Sequence, residues 1–139
     1  MTAKGDVLET AMLNHEYRTA TRAKPANKWI ALFTADPLDA GSGAEVTGTG
    51  YARVQVAVAD ASWSAPADSS GNMVITNAIA ITFPTPGGNW SGPITHWASM
   101  DANTGGNVMH RGALTTPRTV NNGDQAPTFA IGALTIGEG

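Results

Sequence analysis

The chain has 139 residues, no cysteine and a formal net charge of −3, which fits one domain with a core of its own and leaves no disulfide framework or thiolate metal centre. No apolar run approaches the roughly 20 residues of a membrane-spanning helix, and charges interrupt the N-terminal stretch where a secretory signal would need an apolar segment, so the expectation is a soluble, cytoplasm-made protein with no membrane partner. Charged residues make up only 14% of the chain, against about 25% in ordinary globular domains, which is the depletion seen where surface meets protein rather than water.

The first element expected is a helix over residues 6–17. Val7, Leu8, Ala11 and Met12 recur at helical spacing, and Asp6 followed by Glu9 resembles a capping box. Pro25 closes off any continuation. A lone amphipathic helix of this length is marginal in water, so its stripe must pack on something. Behind it, residues 17–28 carry Arg18, Arg22, Lys24 and Lys28 and no acid, whereas residues 29–139 carry three basic and eight acidic side chains. This asymmetry predicts a basic arm that docks on an acidic neighbour, such as the body of an adjacent copy. The acidic body speaks against nucleic acid. The division that follows is a helix and arm over 1–28 and a β body over 29–139, in a single domain overall.

From Trp29 onwards the period changes. Residues 29–33 form a short continuous apolar run, as in a strand buried on both faces, and a turn-rich loop follows to Gly43. Residues 52–59 alternate, with Val54, Val56 and Val58 on one side and Arg53, Gln55 and Ala57 on the other. Further strands are expected over 73–76, 79–83, 94–100, 107–114 and 128–136, the third and fourth of these flanking Asp101-Ala-Asn-Thr-Gly-Gly as a hairpin. About seven short strands separated by turn residues predict a mainly β fold, an antiparallel β-sandwich or barrel-like domain with one N-terminal α-helix.

Chemistry is scarce. A hairpin turning at Asn103–Thr104 would set His96 opposite His110, half of a metal site with no third ligand in sight. Asp36, Asp39 and Glu45 place three carboxylates on one loop, the oxygen type calcium takes, but without the EF-hand spacing. No nucleophile elbow, P-loop or dinucleotide fingerprint occurs, so neither catalytic residues nor a cofactor are expected and the protein reads as no enzyme. Trp29 and Trp97 lie in expected strands and read as core. Trp63 and Trp90 lie in Ser/Pro/Gly-rich loops and are candidate surface aromatic contacts to protein or sugar.

The blocks ALFTADPLDAGSGAEV (31–46), GYARV (50–54), THWASMDANTGGNVM (95–109) and GALTTPRTVNNGD (112–124), with the closing GALTI (132–136), resemble a family of small tailed-phage proteins known as phage tail fibre proteins. The resemblance runs along nearly the whole chain. It implies a β fold and a place in the virion, and since the blocks are turn and strand grammar it carries over no active-site residue. A compact β domain without a repeat does not span a fibre by itself. The expectation is therefore an adhesive structural protein, first a capsid decoration (cement) protein stabilising the particle, and in the alternative a tail fibre or tail-accessory protein that helps attach to the host through a glycan or receptor. Its partners would be itself, as a homotrimer, and the major capsid protein or tail proteins. The stripe Val7, Leu8, Ala11 and Met12 and the arm Arg18, Arg22, Lys24 and Lys28 would make the contacts.

Overall fold

The structure, a computed structural model, describes residues 2–138. The alternating and continuous apolar patterns assemble into a five-stranded antiparallel sheet that runs β1 (Thr2–Lys4), β8 (Val108–Arg118), β7 (Ile94–Met100), β2 (Asn27–Phe33), β3 (Val54–Ala57) from edge to edge. A three-stranded sheet of β10 (Thr135–Glu138), β5 (Asn72–Thr76) and β4 (Ala67–Ser69) and a ribbon of β6 (Ile81–Thr82) with β9 (Thr128–Phe129) complete it.

The inner strand β2 is buried on both faces, as its unbroken apolar run predicts. Ile30 and Leu32 point into the main core with Val46, Phe83, Trp90 and Leu134, while Ala31 and Phe33 join Ala98, Met100 and Val108 on the opposite face. The helix α1 spans Asp6–Tyr17, the range its apolar spacing sets. It packs along β8, and Gly5 at its start lies so close to the Val108 carbonyl that a Cβ there would collide with it. The sheet is thus covered by helix and loop on one side and by the small sheets on the other.

The fold is mainly β with a single helix among the described residues, but it has ten strands where about seven were expected. Two strands leave no apolar signature. β1 is only three residues long, and β4 is exposed throughout, so neither needs the alternation that marks a half-buried strand. The expected strand 128–136 divides in two because fully buried Asn77 turns the chain there. Its side-chain amide donates to the carbonyls of Ile79 and Ala130, and its carbonyl oxygen accepts from the Leu134 N–H. The first strand also pairs Thr2–Lys4 with β8, so the helix is held at its start as well as along its inner face.

Candidate functional site

The face that α1 turns inward is spent within the chain. Leu8 is 4% exposed and Ala11 and Met12 are half-buried, so Leu8 does not belong to an outward stripe with Val7, as the spacing suggested. Outward lies a different apolar pair: Leu13 is 62% and Tyr17 82% exposed. Tyr17 follows Leu8 by nine residues, two and a half turns, and so points away from the body. Between this pair, Met12 and the side chains of Lys4, Glu9 and Glu16 runs a shallow groove of about 300 Å³.

The basic segment continues from the helix end. Arg18 and Lys24 are exposed and Arg22 and Lys28 half-buried, and the Arg22 N–H bends back to His15 Nδ1 at 3.4 Å. Among the described residues none of the four cations forms an ion pair. Burial lowers the Lys28 ammonium below its ordinary value, and the nearby charge of Arg22 adds to the effect against the opposing pull of Asp101.

The three carboxylates that the sequence places on one loop are held by arginines. Arg111 Nη1 donates to both Asp36 oxygens at 2.8 Å while its Nε and Nη2 reach Asp39 Oδ1 at 3.2 and 3.1 Å. Arg53 takes Glu45, which in turn accepts the Tyr51 hydroxyl at 3.0 Å. Burial pushes the Tyr51 phenol well above its usual range, so this hydroxyl stays protonated and keeps its bond. No cluster of three His, Asp or Glu suited to a metal occurs among the described residues.

The histidines do not pair across the hairpin. Ser99 stands opposite His110 and Ala113 opposite His96, because the hairpin closes with Met100 opposite Val108, and an irregularity between Ser99 and Met100 moves the register one residue further. The connecting loop fixes that shift. Asp101 accepts the Asn107 N–H at 2.6 Å and its side-chain amide at 2.8 Å, and Gly106 at φ +74° sits where a Cβ would strike the Asp101 carboxylate. Burial alone would raise the Asp101 carboxyl, but the two Asn107 bonds hold it below its ordinary value. His96 bonds Thr95 Oγ1 at 2.8 Å, and His110 reaches Glu138 at 3.2 Å.

Of the two loop tryptophans, Trp90 is not a surface contact. It is 5% exposed, meets Tyr51 edge-on at 5.3 Å and donates from Nε1 to the Thr49 carbonyl. Gly48, whose Cβ would lie 2.7 Å from the Trp90 ring, admits it to the core. Trp63 is half-buried and its Nε1 donates to Ala57 O at 3.0 Å.

What the molecule offers is therefore contact surface: an outward helix face, an unpaired basic segment and grooves along the sheet edge. No described helix is long and apolar enough to cross a membrane. No curated protein matches the chain. A family model described as Podophage GP4 fiber I protein gp80 matches residues 3–137, which takes in α1, the basic segment and every strand but the first residue of β1 and the last of β10. The chain belongs to this podophage fibre I family, and with it to the structural proteins of a phage virion.

Proposed function

We propose that the protein is a contact-forming, non-enzymatic subunit of a podophage fibre that helps attach the particle to its host, joined to its neighbours through the outer face of α1 and the basic segment behind it. The observation that carries this reading is the outward pair Leu13 and Tyr17, an apolar patch on a helix whose opposite face is already buried. Membership of a fibre family favours this role over capsid decoration.

Charge supports a second copy as one neighbour. Four unpaired cations lie in residues 17–28, and residues 29–139 hold eight acidic side chains against three basic ones, so the segment of one copy complements the body of the next. Association into a trimer would bury more than about 1,000 Å² if it is to persist.

The test is the double variant Leu13→Asp and Tyr17→Asp. Both positions face solvent, so the isolated protein should keep its circular dichroism and thermal midpoint. Particles assembled with it should lack the chain by quantitative mass spectrometry. Particles that carry it at normal occupancy overturn the helix-face reading, and a monomer at every concentration by light scattering overturns the self-association.

A further inference from the structure

We propose that the cleft between the second half of β8 and strand β10 is a binding groove for a linear, uncharged oligosaccharide, an assignment that rests on the host-attachment role of the fibre. Two hollows of about 360 and 260 Å³ share Trp97, Ala113, Thr115 and Ala133 and so form one continuous channel. The channel follows β8 from Gly112 to Arg118, roughly 20 Å at the rise of a strand, which is long enough for an extended oligomer. The larger hollow alone has the volume of a small-molecule site, about 300 Å³ or more.

Its chemistry is that of a polyhydroxylated neutral ligand. The larger hollow has no charged side chain among its lining residues. Ser69, Asn72, Thr115 and Thr135 line it, and among the described residues none of these four side chains is engaged in a hydrogen bond. Trp97 lines both hollows. Its ring belongs to the core and is 4% exposed, yet its Nε1 edge lies over Gly112, where a Cβ would come within 3.0 Å of it. The indoles of Trp63 and Trp90 donate to backbone carbonyls, but that of Trp97 has no acceptor among the described residues. Among the described residues no fully buried side-chain nitrogen or oxygen is left without a partner, so the unpartnered Trp97 N–H keeps some access to solvent at a residue that lines both hollows.

Other occupants fit less well. An anionic ligand would find no cation until Arg118 at the far end. An extended peptide would add to the edge of β8 beyond Gly112, where β1 stops, but Pro117 removes a donor from that edge.

The test titrates the ¹⁵N-labelled chain with neutral oligosaccharides released by mild acid, separately from lipopolysaccharide and from capsule, of a bacterium the phage infects. The Trp97 Nε1–H signal, assigned by its loss in Trp97→Phe, should move on binding while those of Trp63 and Trp90 stay in place. Thr115→Glu, an exposed change that leaves the core intact, should weaken binding at least tenfold, and Gly112→Val should abolish it. A static Trp97 signal with both fractions at millimolar concentration, unchanged affinity in Thr115→Glu, or protection of the 113–116 amides by another fibre protein instead of a sugar, overturns the assignment. If the chain is present in particles when the titration fails, only the groove assignment falls. Absence of the chain from particles sinks the fibre reading itself.

Discussion

Arg53 and Glu45 meet as a two-pronged pair, Nε on Oε1 at 2.8 Å and Nη2 on Oε2 at 2.7 Å, and the remaining nitrogen Nη1 donates to the carbonyls of Ala102 and Gly105 at 2.6 and 2.8 Å. One guanidinium thus ties the strand-entry segment at Glu45 to the hairpin loop between β7 and β8. The carboxylate bonds raise the Arg53 pKa further, so the cation is permanent. Replacing Arg53 with Ala should cost about 2 kcal/mol, the scale of hydrogen bonds to charged groups, read as a shift in the urea midpoint. Lys should restore little, since one ammonium cannot make the fork. Full recovery in Arg53→Lys would show that charge alone matters.

Acid should weaken the fold in two steps, both located where β1, β8 and β10 meet. Burial lowers the His110 imidazole below 6.5, outweighing the attraction of Glu138, with Lys28 and Lys4 adding to the depression. The folded state therefore resists protonation there, and the stability present above pH 6.5 declines as pH falls through the folded value. Near neutrality the contact with Glu138 is a hydrogen bond from neutral imidazole. Burial would raise the Glu138 carboxyl, but the bonds from Lys4 and His110 hold it below 4.5, so a second loss follows beneath that pH. Thermal midpoints between pH 7 and 3 should show both steps, with His110→Gln removing the first and Glu138→Gln the second. A midpoint that stays flat from pH 7 to 5 contradicts the account of His110.

Asn77 is the buried polar group on which the closing turn depends. Asn77→Leu should leave the carbonyls of Ile79 and Ala130 and the N–H of Leu134 without partners, at a cost of about 3 kcal/mol or more. Asp in its place would turn acceptors towards two carbonyls and should be no better. Denaturant titration of the two variants checks this, and a loss under about 1 kcal/mol would mean water replaces the amide.

The loop tryptophans should behave unlike each other. Trp90→Ala should cost about 3–5 kcal/mol, because it empties the core beside Tyr51 and Phe83. Trp63→Ala should cost less, as a half-buried ring loses less contact. Calorimetry on both separates them, and equal losses would contradict the difference in burial.

The mainly β class, the helix over Asp6–Tyr17 and the doubly buried strand β2 were legible because each leaves a period or an unbroken run in the sequence. The inward direction of Leu8 was not, because Val7, Leu8, Ala11 and Met12 together span more than one face and only the position of β8 selects among them. Trp90 misled for a similar reason. Its neighbours are turn residues, but Gly48, more than forty positions away, makes the space that draws the ring inside. The two arginine clasps and the Trp97 groove depend on pairings between distant segments. A lone Arg53 on an alternating strand reads as solvent-facing, and nothing local to Gly112 reveals that an indole lies across it.

The Thr2 hydroxyl accepts the Gly137 N–H at 2.7 Å, so the first and last strands are joined. That contact cannot form until residue 137 has been made, and β1 must wait for β8, more than a hundred residues later. With so much of the pairing non-local, folding is expected to be slow for the chain's size. A nascent chain stalled before β10 should then be cleaved readily by protease, and the released protein should become resistant only once the last strand docks.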